Sequence, residues 1–288
     1  MERLKMPITS KSLIKESRGE KCDKHPDAKV FSTPGGVVCV QCAALQRDQE
    51  DREYGRKAIL SERLKTTWGA LERFSIIVDE SIREASLKNY DTEHPKHKEV
   101  IQEARNIMNA FVKGKRGNVW LVGDAGTGKS HIAMSILKGI NEYGRDRVKK
   151  AFDSEQDIMQ EGYTCVFMTV NEMYRDIRRS FNEKGFERTE SYFIELCGNA
   201  DILVLDDLGA ESGSMNVDRE ASRFVQEILY SIANARQDKM TIITTNLKKD
   251  ARSKLYDSKM LSRLYKNMKM VVFQDMPDMR RTEEGEEW

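Results

Sequence analysis

The segment Gly123-Asp124-Ala125-Gly126-Thr127-Gly128-Lys129-Ser130 fits the Walker A pattern at every fixed position. Its glycines let backbone amides wrap a phosphate, and a helix starting directly behind adds a favourable dipole. Lys129 is expected to reach the β- and γ-phosphates of ATP, and the Ser130 hydroxyl to ligate Mg2+. An acidic element follows: the apolar run Ile202–Leu205 leads straight into Asp206 and Asp207. A buried strand has no reason to end in paired carboxylates unless a cation or an activated water sits there. The expected roles are Mg2+, through water, for Asp206 and polarisation of the attacking water for Asp207. The bland alternative is two acids opening a solvated turn. A further run, Thr241–Thr245, ends at Asn246. That amide would orient water beside the γ-phosphate if its strand lay between the other two; otherwise it is a strand-end turn residue.

Near the N-terminus, Cys22-x-x-His25 and Cys39-x-x-Cys42 lie thirteen residues apart around a Pro34-Gly35-Gly36 turn. This spacing is that of a closed Cys3His zinc site, with no open position for catalysis. The other reading is unrelated reduced thiols. A domain this short has little core of its own, a need that zinc would answer. The remaining two of the five cysteines, Cys165 and Cys197, sit in apolar surroundings and read as small core residues.

These groups need elements to hold them. After Gly117, short apolar runs at Val119–Val122, Thr164–Val170, Ile202–Leu205, Thr241–Thr245 and Met270–Phe273 alternate with helical stretches. That alternation implies an α/β fold with a parallel five-stranded sheet and helices on both faces. His97–Val112 reads as an amphipathic helix closed by Gly114, with Pro95 just before it. Residues 46–74 read as a charged helical linker with a sparse stripe of Ile59, Leu60, Leu64 and Leu71. The polar stretch 145–162 reads as an exposed insertion. The expected domains are 1–45 zinc-binding, 46–74 linker, 75–280 nucleotide-binding and 281–288 tail.

Arg175, Arg178, Arg179, Phe181 and Lys184 interleave charge with an aromatic ring after the second of these strands. This is the chemistry of phosphate contacts and base stacking on single-stranded nucleic acid. An ordinary amphipathic helix, with Met173, Ile177 and Phe181 inward, explains the same pattern. The net charge of +1 gives no global nucleic-acid signal. Charged residues are 33% of the 288 and hydrophobic ones 39%, and no apolar run approaches the roughly 20 residues that span a bilayer. With no apolar stretch after the basic N-terminus, a cytoplasmic protein without membrane contact is expected.

GDAGTGKS, LVLDDLGAE, TIITTN and LSRL taken together resemble the bacterial replicative helicase loaders of the DnaC/DnaI type, within the AAA+ class. EASLKNYD is similar to the segment that precedes the ATPase core of that family, and the likeness covers about residues 75–280. The resemblance implies an AAA+ ATPase that places a DnaB-type helicase hexamer on single-stranded DNA. It also implies ATP-dependent self-assembly in which Arg263 projects into a neighbouring subunit's site. The resemblance also puts a second sensor at Arg280 or Arg281; only a short tail follows the last strand, so no separate lid domain is expected. The zinc motif points to the DnaI-like branch, whose N-terminal zinc domain contacts the helicase. Three alternatives compete: a transposase helper similar to IstB acting on duplex DNA, a small-molecule kinase, and a non-enzymatic adaptor.

Overall fold

The computed structural model describes residues 15–17, 19–209 and 219–279. The chain forms two compact units, Met1–Ser61 and Glu62–Trp288. Among the described residues, no helix is long and apolar enough to cross a membrane.

The first unit holds a small antiparallel sheet, β1 (Lys15–Glu16), β2 (Val30–Thr33) and β3 (Gly36–Cys39), in that order. The reversal between β2 and β3 falls at Gly36, whose φ of 117° is open to glycine without strain. Helix α1 (Val40–Thr66) starts directly after β3. It buries no residue, and of the expected stripe Ile59 is exposed whereas Leu60 and Leu64 are half-buried. Within the described part of this unit, only Val30 and Cys39 are buried. So little apolar burial cannot offset the entropy of ordering this many residues.

In the second unit the chain turns at Gly69 into α2 (Ala70–Phe74), where Ala70 is fully buried. A 3-10 helix (Glu80–Glu84) follows, then α3 (Pro95–Val112). Pro95 occupies the first turn, and the His94 ring caps it by accepting a bond from the Lys96 amide. A proline loses nothing there because that amide has no intrahelical partner. Val100, Ile101, Ala104, Ile107 and Phe111 form the buried face, and Gly114 at φ 87° ends the helix.

The remaining elements are β4 (Asn118–Gly123), α4 (Lys129–Asp153), β5 (Cys165–Thr169), α5 (Val170–Asn182), α6 (Glu190–Asn199), β6 (Ile202–Asp206), α7 (Arg219–Ala235), β7 (Met240–Thr245), α8 (Lys249–Leu255), α9 (Ser258–Leu264) and β8 (Lys269–Phe273). All five strands are parallel, in the order β5-β6-β7-β4-β8. Alternation sends Val119 and Leu121 to one face, with α3 and α4, and Trp120 to the other, with α5, α6, α7 and α9. The stretch 145–162 is not a free insertion. Its first part continues α4, and Val148, Ala151 and Ile158 are buried.

One cation fixes the end of the sheet remote from the strand C-termini. Arg236 is 3% exposed and donates to the carbonyls of Cys197 (2.6 Å), Ala200 (2.6 Å) and Met240 (2.5 Å) and to Thr241 Oγ1 (3.0 Å). Burial lowers its pKa to about 10, so it stays charged at neutral pH. It gathers carbonyls at the C-terminus of α6 that the helix leaves unpaired. Arg236→Met should therefore destabilise the protein by about 3 to 5 kcal/mol in chemical denaturation, because several buried carbonyls lose their donor.

Candidate nucleotide site

The strand order decides where the chemistry lies. β7 stands between β4 and β6, so the loops after these three strands meet at one edge of the sheet. In open parallel sheets this C-terminal edge is where ligands bind. A pocket of about 520 Å³ opens there, and its walls include Gly126, Lys129, Ser130, Asp206, Asp207 and Asn246. Five residues from three separate stretches of sequence thus face one space with the glycine loop.

The loop is shaped by two glycines in the left-handed region, Gly126 at φ 79° and Gly128 at φ 80°. Gly128 also caps α4, leaving the first amides of that helix directed at the pocket. A side chain at Gly128 would collide with Tyr90, at 2.6 Å, and Met279, at 2.8 Å. Lys129 is 9% exposed, and its Nζ donates to the Asp124 carbonyl at 2.5 Å. Thr127 Oγ1 donates to the same carbonyl at 2.9 Å. Gly123 and Thr127 shape the loop from behind and do not line the pocket.

Asp206 is 9% exposed, whereas Asp207, the next residue, is exposed. Thr244 joins the pair: its hydroxyl donates to Asp206 Oδ1 at 2.7 Å and accepts from the Asp207 amide at 2.8 Å. Asp207 is held at φ 60°, a conformation that costs a non-glycine residue energy and turns up at active sites. Burial raises the pKa of Asp206, against the opposing hydrogen bonds from Ser130 and Thr244 and the charge of Lys129. A buried carboxylate beside a serine hydroxyl is a donor set that suits Mg2+.

Thr244 and Tyr90 are contributors that the sequence alone did not single out. The Tyr90 hydroxyl donates to the Thr127 carbonyl at 3.1 Å, and its ring meets His97 and His131 edge-on. Met279 reaches the loop from the far end of the chain, its amide donating to the Gly126 carbonyl at 2.9 Å. The signal for Thr244 was its place two residues before Asn246 on a strand, which puts it on the same side as that amide. Tyr90 carried no such signal.

Arg263 does not line this pocket. Its Nε donates to Asn234 Oδ1 at 3.0 Å, and its guanidinium lies 4.4 Å from the Tyr230 ring centre. Among the described residues, no arginine lines the pocket at all. Arg280 and Arg281 lie outside the described residues.

On α5, Met173 and Ile177 are buried, but Phe181 is 65% exposed, contrary to the inward placement of the amphipathic alternative. Its ring meets that of Phe224 edge-on, with centres 5.7 Å apart. Arg175 pairs with Glu172, and Arg179 with Glu183. Arg178 and Lys184 are exposed, and their side chains make no ion pair among the described residues.

In the first unit, Cys22, His25, Cys39 and Cys42 bring their ligand atoms within 4.8 Å of one another. His25 Nδ1 lies 3.8 Å from Cys22 Sγ, 3.8 Å from Cys39 Sγ and 3.3 Å from Cys42 Sγ, and the sulfurs of Cys22 and Cys42 are 3.6 Å apart. A tetrahedron with metal–sulfur bonds of about 2.3 Å has edges of about 3.8 Å, so the four residues fit zinc. Backbone amides, first that of Lys24, lower the Cys22 thiol, while its hydrogen bond with Cys22 raises that of Cys42, so the pair shares one negative charge.

The family model described as the ATPase family associated with various cellular activities (AAA) matches residues 119–269. No curated protein matches the chain. A crystal structure of the DnaC helicase loader is similar at 24% identity and TM-score 0.47, covering 67% of this chain and 99% of that one. A crystal structure of DnaI is similar at 16% identity and TM-score 0.47, covering 69% and 95%. AMPPCP-bound DnaA from Aquifex aeolicus is similar at 14% identity and TM-score 0.46, covering 68% and 52%.

Two outcomes follow from these geometries. A carboxylate whose folded pKa is raised costs stability once pH exceeds its unfolded value of about 3.9. Asp206→Asn should therefore raise the melting temperature of the nucleotide-free protein at neutral pH, the gain shrinking to nothing as pH falls towards about 4. Chelation of zinc should abolish the cooperative unfolding transition of the first unit while leaving nucleotide binding intact, as read by circular dichroism and fluorescent-nucleotide titration.

Proposed function

Because the chain belongs to the ATPase family associated with various cellular activities, we propose that it is an ATP-hydrolysing loader of a DnaB-type replicative helicase hexamer onto single-stranded DNA. The observation that carries the ATPase reading is the convergence of Lys129, Ser130, Asp206, Asp207 and Asn246 on one pocket. The extension to a loader rests on the resemblance of the combined motifs and on the four-ligand cluster of the first unit, whose residues fit zinc.

In this reading the loop amides and Lys129 hold the β- and γ-phosphates, Lys129 exchanging the Asp124 carbonyl for phosphate oxygens. Ser130 and Asp206 hold Mg2+, which when bound neutralises charge on those oxygens. Asp207, exposed in the pocket, polarises the attacking water, and Asn246 fixes its direction. Besides Lys129, no cationic side chain among the described residues that line the pocket meets the charge that spreads over the transferred phosphoryl group. Arg263 of a neighbouring subunit would supply one, which makes turnover depend on self-assembly. The exposed Phe181, with Arg178 and Lys184 beside it, offers a stacking ring and free cations to a single strand.

Mixing the protein with a DnaB-type helicase should give a complex whose mass changes with ATP, while Lys129→Ala reduces phosphate release to background. Absence of any complex in every nucleotide state would sink the loader reading. A combined Arg178→Ala and Phe181→Ala change should weaken single-strand binding and spare nucleotide affinity. A preference for duplex over single strands would instead favour a transposase helper similar to IstB.

A further inference from the structure

We propose that Asn118 and Trp120 are positioning residues for Arg263, so that the strand carrying the phosphate loop also sets the aim of the arginine offered to the next subunit. The inference rests on the reading of Arg263 given above and adds the parts that hold it.

Arg263 stands at the end of α9, where a helix leaves its last carbonyls without intrahelical partners. Two side chains of β4 supply donors there, in addition to the Lys266 amide, which reaches the Arg263 carbonyl at 3.2 Å. Asn118 Nδ2 donates to the carbonyl of Arg263 itself at 2.9 Å and to that of Lys266 at 3.3 Å. Trp120 Nε1 donates to the Leu264 carbonyl at 2.8 Å. Asn118 and Trp120 are two apart on a strand and so leave the same face of the sheet. Both are buried, at 7% and 0% exposure, so neither bond competes with water.

Two further contacts tighten this joint. Gly117, just before β4, lies so close to the turn after α9 that an added Cβ would stand 2.5 Å from the Asn267 carbonyl oxygen. Arg252, 2% exposed, is packed against the rings of Trp120 at 4.6 Å and Tyr265 at 5.7 Å. Its Nε and Nη1 have no hydrogen-bond partner among the described residues, and its guanidinium lies over both rings.

Neither Asn118 nor Trp120 lines the nucleotide pocket. Their bonds are not needed to hold phosphate in the same chain. At its other end β4 is equally constrained, since a Cβ on Gly123 would stand 2.2 Å from the Phe273 carbonyl oxygen. The strand is thus a short bar fixed at both ends, with the phosphate loop at one and the Arg263 turn at the other. The bar holds the backbone at Arg263, while Asn234, the Lys259 carbonyl and the Tyr230 ring hold its guanidinium.

The test uses the full-length protein with Trp120→Phe, which leaves a smaller aromatic ring and removes the N–H, and separately Asn118→Ala. Affinity for a fluorescent ATP analogue should be unchanged. Phosphate release at assembling concentrations should fall about tenfold or more, since about 1 Å of misplacement costs on the order of 100-fold. Mixing either variant with Lys129→Ala should restore turnover, because the Lys129→Ala subunits bring correctly aimed arginines to sites that still bind ATP. Arg263→Ala, measured alongside, separates the two ideas. Full turnover by Arg263→Ala would overturn the role of Arg263 and this inference with it. Turnover lost in Arg263→Ala but kept in both β4 variants would overturn the positioning role alone. So would a loss that mixing does not rescue, or one accompanied by weaker nucleotide binding, as expected of a merely structural defect.

Discussion

Thr244 donates its hydroxyl proton to Asp206 and receives one from the Asp207 amide, and this junction holds a buried carboxylate at the mouth of a parallel sheet. An ionised group in such a place is costly unless hydrogen bonds and a cation surround it. The fold answers with Ser130 and Lys129 from one side and Thr244 from the other. For Thr244 to reach Asp206, β7 must lie beside β6. For Lys129 to do so, β4 must come next. The order β6-β7-β4 is therefore the arrangement that keeps Asp206 tolerable without a ligand and useful with one.

The same order makes β4 central in a second sense. It is paired on both sides, with β7 and β8, and each face is covered by its own layer of helices. Such a strand has no freedom to slide, because a one-residue slip would turn Trp120 and Leu121 to the wrong layers. That rigidity benefits the glycine loop at one end. It equally benefits the helix terminus that Asn118 and Trp120 hold at the other. The first unit rests on a different principle. It has two buried side chains among its described residues and a cluster of Cys22, His25, Cys39 and Cys42 whose ligand atoms lie within 4.8 Å of one another.

Much of this was written locally. Gly123–Ser130, the acids after Ile202–Leu205 and the paired Cys22/His25 and Cys39/Cys42 are short motifs whose chemistry follows from residue type and spacing. The five strands fell where the apolar runs stood, and the observed ends differ by about one residue from the expected ones. The misjudged places were those where packing overrides local pattern. The polar look of 145–162 concealed Val148, Ala151 and Ile158, spaced to follow one side of α4 and its exit. Helix periodicity placed Phe181 inward, yet α5 ends one residue later and the ring is 65% exposed among the described residues.

The sequence by itself thus determined that this chain carries a Walker A pattern, a strand ending in two acids and two paired sets of Cys and His. These depend on atoms a few bonds apart. Only the tertiary structure decided that Thr244 bridges the two acids and that Tyr90 and Met279 close on the glycine loop. It also decided that Arg263 is turned away from its own pocket and fastened to β4. Those contacts join residues that lie up to 153 positions apart, as for Gly126 and Met279. No local pattern encodes them, because they exist only once the strand order has brought distant stretches of chain to the same edge.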